Sequence, residues 1–333
     1  MRICVFGAGA VGGYLAGSLA QATANQVSVI ARGAHLAAIR ANGLTLDLGD
    51  HSVVTHPTAS ADPADLGPQD VVIVTVKAPS LSSVAATIAP LLGPDTAVAF
   101  VMNGIPWWYF HAHGGDLDGR QLPALDPGGA LWRAVGPHRA IGGIFWPACS
   151  VPAPGVVRLV AGAGSGTLFG EPDGRASPRL QELAAAFQAA NLPVSQTQDI
   201  RTAIWRKLAF NLSAGPLCVL TETPVLDTHT EPALIDASGR VLAEAMALAA
   251  AMGITLDLDI KAIAATNTKL GHRPSILQDL TARRRMEVDA LYGVPQQMAR
   301  MLGVPTPTLD LLTALIKVKA SALGLYDRDP TTP

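Results

Sequence analysis

The segment Gly7-Ala8-Gly9-Ala10-Val11-Gly12 sets three glycines at the spacing G-x-G-x-x-G. It follows the apolar run Arg2–Phe6 and opens an Ala/Leu-rich stretch, so the strand-to-helix context that this spacing requires is present. The first glycine permits a tight turn, the second lets the backbone approach a pyrophosphate, and the third lets helix and strand pack closely. The helix N-terminus stabilises the negative charge. A plain strand-to-helix turn is the competing reading, and the β-α-β pattern that follows weighs against it. The second expected strand ends Val29-Ile30-Ala31-Arg32, where a carboxylate would mark a free ribose 2′-hydroxyl. A guanidinium instead offers paired donors to a 2′-phosphate, which favours NADP(H) over NAD(H) against the alternative of a solvated surface charge. Lys77 directly follows an apolar run, at the carboxyl edge where open α/β sheets bind ligands, and could serve phosphate or substrate.

Lys207 and Asn211 lie four apart and share one face if the segment is helical. An ammonium can protonate a carbonyl oxygen as hydride reaches the carbon, and an amide can hold a substrate hydroxyl or carboxylate. The spacing alone still favours a solvated lysine. His111 and His113 lack a third ligand, so no metal is expected, and Cys4, Cys149 and Cys218 are too far apart for a disulfide framework or a C-x-x-C site.

Alternating β-branched and Ala/Leu-rich runs must position these groups. Strands are expected at Arg2–Phe6, Gln26–Ala31, Asp70–Val76 and Ala97–Met102, with helices at Val11–Ala22, His35–Asn42 and Ser80–Leu91. Leu44–Leu48 and Ser52–Thr55 read as a hairpin around Gly49-Asp50. Pro106 to Pro137 reads as a long loop. Strands at Ala140–Trp146, Val156–Val160 and Gly166–Phe169 then extend the same sheet, followed by a helix at Pro178–Ala190 and a last strand-like piece. Helical patterns follow at Ile200–Ala214, Pro232–Met252, Leu258–Leu270, Ile276–Leu302 with a break, and Thr308–Leu323, and the Thr331–Pro333 end is expected to fray. The fold class is α/β: an N-terminal Rossmann-type dinucleotide-binding domain over 1–198, then an all-α domain over 199–333.

A chain of 333 residues predicts about two domains. With 49% hydrophobic and 15% charged residues it can fill large cores. A formal net charge of −2 supplies no global field for nucleic acid or an anionic membrane, and no run reaches the roughly 20 apolar residues that span a bilayer. Without a secretory pattern, the expected location is cytoplasmic.

The chain resembles the ketopantoate reductase family (2-dehydropantoate 2-reductase) along nearly its whole length, apart from the segment around 106–137. The resemblance rests on the glycine loop, Val76-Lys77-Ala78, Asn103-Gly104, Trp205-x-Lys207-Leu208-x-x-Asn211, and Pro274-Ser275-Ile276-Leu277-Gln278-Asp279 with Glu287 beyond. It implies NADPH-dependent reduction of 2-dehydropantoate to pantoate in a cleft between the domains, with Lys207 as proton donor and Glu287 orienting lysine and ligand. Asn103, Asn211 and Ser275 would bind substrate, and the loop Gly7–Gly12, Arg32, Lys77, Asn103 and Glu287 would contact the cofactor. Where the family commonly has a second asparagine, four residues beyond Asn211, this chain has Gly215. Another branched or hydroxylated 2-oxo acid is therefore an alternative substrate, and a non-catalytic NADP(H)-binding regulator is a second alternative. The implied partner is a small 2-oxo acid, with a homodimer open as the assembly. If Ser275 and Glu287 serve one small site, the chain must break between them, near Thr281–Met286, because twelve residues of unbroken helix would separate them by about 18 Å.

Overall fold

The computed structural model describes residues 1–162 and 164–327, so the Thr331–Pro333 end lies outside the described residues. Contacts divide the chain into two units, one of Met1–Met102 and Pro106–Ile200, the other of Asn103–Ile105 with the chain from Arg201 onward.

In the first unit, β1 (Arg2–Phe6), β2 (Gln26–Ile30), β5 (Thr58–Ser60), β6 (Gln69–Val74), β7 (Leu92–Val101), β8 (Ala140–Phe145), β11 (Thr167–Gly170) and β12 (Val194–Gln196) form one sheet in the order β12-β11-β8-β7-β6-β1-β2-β5. From β5 to β8 neighbours are parallel and run in Rossmann order, and β11 joins β8 antiparallel. Its central strands are unbroken apolar runs, as burial on both faces demands. Helices α1 (Ala10–Leu19), α2 (Gly33–Asn42) and α3 (Leu81–Thr87) connect them. The three-residue β5 is too short to leave a pattern in the sequence.

The hairpin forms as expected, from β3 (Leu44–Asp47) and β4 (Ser52–Thr55). Val156–Ala161 (β10) does not extend the main sheet. It pairs parallel with β3 and antiparallel with β9 (Ala148–Ala153), making a second sheet in the order β4-β3-β10-β9. Glycines on α1 explain the departure. A Cβ at Gly13 would lie 2.6 Å from Val157 Cγ2, and one at Gly17 would lie 2.7 Å from Leu46 Cδ2, so only a bare helix face admits this sheet.

The expected loop over 106–137 is largely built in. Trp107, Trp108, Tyr109 and Phe110 are buried, and Trp107 meets Phe100 and Trp132 edge-on. The buried Asp126 carboxylate accepts the N–H groups of Leu131 and Trp132 at 2.7 and 3.0 Å, starting α4 (Ala130–Ala134). Helix α5 (Pro178–Ala189) is capped by Ser177.

The second unit is helical: α6 (Ile200–Thr221, whose first residue belongs to the first unit), α7 (Val225–Thr228), α8 (Pro232–Ala250), α9 (Ile260–Asn267), α10 (Ser275–Thr281), a π-helical turn Asp289–Gly293, α11 (Val294–Leu302) and α12 (Pro307–Ala322). Helix α6 was expected to end at Ala214. It runs on through Gly215-Pro216 because every residue from Leu212 to Val219 is buried, and that packing outweighs the roughly 3 kcal/mol cost of an interior proline. No described helix is long and apolar enough to cross a membrane.

Candidate active site

In the first unit, β1 delivers the chain to Gly7, whose φ of +105° is a backbone state that favours glycine. The N–H groups of Gly7 and Ala8 donate to the Ile30 carbonyl at 3.0 and 3.2 Å. A Cβ on Gly12 would collide with the Gly7 carbonyl oxygen and Thr75 Oγ1, whereas one on Gly9, at the helix N-cap, would meet nothing within 4 Å. Gly12 therefore closes helix on strand, and Gly9 leaves space before the N-terminus of α1. Ala10 and Val11 form the first turn.

That space opens into a cavity of about 470 Å³ lined by Gly7, Gly9, Arg32, His35 and Ser83, among others. Arg32 caps α2 in extended conformation with its side chain exposed. The cradle, helix N-terminus and guanidinium could hold the phosphates of a dinucleotide. Lys77 stands exposed at the start of the Ala78–Ser80 turn. Its neighbours Val76 and Ser80 line the cavity.

In the second unit, Lys207 and Asn211 lie one turn apart on α6, both half-buried. Burial pushes the Lys207 pKa down to about 8, although the Glu287 carboxylate pulls it upward. Glu287 itself is 7% exposed. The break expected between Ser275 and Glu287 is present, without proline or glycine. Helix α10 ends at Thr281, Arg283 takes the left-handed region at φ +53°, and Arg284 pairs with Asp279 at 3.1 Å. Ser275 opens α10 with its side chain exposed, next to the buried Pro274.

Asn103 is half-buried in the bend after β7. The next residue explains its placement: Gly104 has φ +82°, and a Cβ there would lie 2.5 Å from the Ala290 carbonyl oxygen. The chain thus seats against the π turn three residues beyond Glu287. Asn103, Lys207, Asn211, Ser275 and Glu287 all belong to this unit, whereas the glycine loop, Arg32 and Lys77 belong to the other.

Asn211 also lines a cavity of about 440 Å³, with Gly215, Asp257, Asn267, His272 and Pro274 in its wall. Gly215 has a structural reason. A Cβ there would stand 2.5 Å from the hydroxyl of Tyr292, a fully buried residue whose phenol burial keeps protonated. Gly215→Ala should destabilise the fold by about 1–3 kcal/mol in denaturant titration, and Tyr292→Phe in the same chain should recover part of that loss by removing the clashing oxygen. Sequence reasoning missed Asn267 and Tyr292, since an isolated polar residue in an apolar helix carries no spacing signal.

His111 packs on Trp132 and His113 on Phe110. Among the described residues no group of three His, Cys, Asp or Glu side chains could hold a metal ion.

Two models of one family match the chain. Residues 3–107 match the family "Ketopantoate reductase PanE/ApbA" and residues 199–320 match "Ketopantoate reductase PanE/ApbA C terminal". The chain is 41% identical to the 2-dehydropantoate 2-reductase of Mesorhizobium japonicum over 327 residues, covering 98% of this chain and 100% of that one. A solved structure from Ralstonia solanacearum MolK2, to which the name ketopantoate reductase is provisionally attached, superposes with TM-score 0.92 at 41% identity, over 98% of this chain and 99% of that one. D-mandelate dehydrogenase, solved with NADH and anilino(oxo)acetate, shares the fold with TM-score 0.81 at 22% identity, over 98% of this chain and 100% of that one.

Proposed function

Because the chain belongs to the ketopantoate reductase family, whose members are NAD(P)-dependent oxidoreductases, we propose that it reduces 2-dehydropantoate to pantoate with NADPH, and that Lys207 is the proton donor. The observation that carries this reading is Lys207 itself, an ammonium brought down to about 8 by burial, paired with buried Glu287 and one turn from a cavity-lining amide. Such a group is charged at neutral pH and still able to release its proton, as a general acid requires.

When bound, the dinucleotide supplies a hydride to the ketone carbon. The carbonyl π pair then moves to oxygen, where the Lys207 ammonium stabilises the developing charge and gives up one proton, leaving a hydroxyl and a neutral amine. Glu287 favours the charged lysine before transfer. Asn211, Ser275 and Asn103 hold substrate polar groups, and the glycine loop, Arg32 and Lys77 hold the dinucleotide phosphates. Three unpaired cysteines suit a reducing, cytoplasmic setting.

One observation favours a second substrate in the same class. Gly215 presents no side-chain amide, and Tyr292 fills the space beside it, which suits another branched or hydroxylated 2-oxo acid. Following NADPH oxidation with a panel of 2-oxo acids separates the readings. Rapid turnover of 2-dehydropantoate supports the first, turnover of a different acid alone supports the second, and cofactor binding without any turnover would leave a regulator.

The cofactor assignment has its own test. Arg32→Ala should weaken NADPH binding by about tenfold or more while leaving NADH nearly unchanged, since charge-assisted bonds to one phosphate are lost. Equal dissociation constants for the two cofactors in the unaltered protein would remove the NADP assignment.

A further inference from the structure

Asn267, the last residue of α9, is 7% exposed and lines the same cavity as Asn211. Its Nδ2 lies 3.1 Å from Nε2 of His229, and the other ring nitrogen, Nδ1, lies 3.0 Å from the Val225 carbonyl oxygen. A carbonyl can only accept, so Nδ1 carries the proton. His229 is 1% exposed, and burial lowers its pKa, so the ring is neutral and Nε2 is an acceptor. The group facing Nε2 must therefore be the amide NH₂. The same logic fixes the other end of the side chain: Oδ1 points away from the ring and has no hydrogen-bond partner among the described residues. The Thr228 hydroxyl, donating to the Val225 carbonyl at 2.8 Å and lying 3.0 Å from Nδ1, closes the arrangement around the imidazole.

We infer that Asn267 Oδ1 is a specificity-determining acceptor for a side-chain hydroxyl of the 2-oxo acid, and that His229 is the positioning residue that holds the amide in this orientation. The inference rests on the reductase reading above. A substrate with the hydroxyl pairs the oxygen, whereas one without it leaves a desolvated acceptor unpaired, a difference worth roughly tenfold to a hundredfold in binding. His229 never touches substrate and acts through the amide alone.

The test compares pantoate with the analogue lacking its 4-hydroxyl, by calorimetric binding to the cofactor-loaded protein. The unaltered protein should prefer pantoate by roughly tenfold to a hundredfold. Asn267→Leu should abolish the preference by weakening pantoate alone, Asn267→Asp should retain it by keeping an acceptor, and His229→Phe should reduce it partway. In turnover the Asn267→Leu loss should appear in KM rather than kcat. Thermal melting checks that each variant is folded, with Asn267→Ala as the substitute if the leucine variant is not. An unchanged preference in folded Asn267→Leu or Asn267→Ala, or no preference in the unaltered protein, overturns the inference. Failure of the unaltered protein to reduce any 2-oxo acid would instead overturn the reductase reading, and the binding ratio is measured independently of it.

Discussion

Replacing Lys207 with alanine should slow single-turnover hydride transfer by about 10²- to 10⁴-fold while the dissociation constant for NADPH changes little. The glycine loop and Arg32, proposed to hold the cofactor phosphates, lie in the first unit and Lys207 in the second, so the chemical step and cofactor binding should separate. The pH dependence follows from the same side chain. Its pKa is pushed down to about 8, and the charged form is the acid, so reduction should hold at neutral pH and decline as pH rises through that value. Oxidation of the product, which needs the neutral amine, should show the opposite limb. Glu287→Gln removes the group that raises this pKa and should move the descending limb toward lower pH. Lys207→Arg should not rescue, because a guanidinium keeps its proton across this range. Unchanged single-turnover hydride transfer in Lys207→Ala would falsify the proton-donor role.

Gly12→Ala should damage both fold and cofactor binding, and Gly9→Ala should damage binding alone. At Gly12 the new methyl meets two atoms that cannot yield: a backbone carbonyl, and the Thr75 hydroxyl that donates to that carbonyl at 2.6 Å. Helix α1 must move off β1, with a stability loss of about 1–3 kcal/mol or more, and its N-terminus leaves the phosphates. At Gly9 the methyl meets no protein atom and stands in the space proposed for the pyrophosphate. Melting temperature and NADPH affinity, measured on both variants, distinguish the two effects. A Gly9→Ala protein that binds NADPH normally would move the pyrophosphate away from this turn.

The parts of this molecule that were legible in the sequence are those specified by local patterns. The strand, glycine loop and helix at the N-terminus are contiguous, and their change of hydrophobic period is visible in one window. Lys207 and Asn211 are four apart, so their common face follows from helical geometry alone. The break after Thr281 could be expected from the functional demand on Ser275 and Glu287, although its device, a left-handed Arg283 with an Asp279–Arg284 ion pair, has no sequence signature. The second sheet was not legible because β3 and β10 pair across more than a hundred intervening residues. Continuation of α6 through Pro216 depends on burial that only tertiary packing supplies. His229 and Asn267 read as ordinary polar residues until their ring and amide are seen facing one another.

The seating of Gly104 on the Ala290 carbonyl has a consequence for biogenesis. Asn103–Ile105 leave the ribosome embedded in the first unit's sequence, yet they belong to a body completed only by the last helices synthesised. The helical unit is therefore a discontinuous folding unit. Expressed from Arg201 alone it would lack a piece of its own interior, including Ile105, which is 2% exposed. Domains generally fold as units during synthesis, N-terminal first. A nascent chain that has not reached the Asp289–Gly293 turn can already have formed the cavity at the glycine loop, while Gly104 has nothing to rest against.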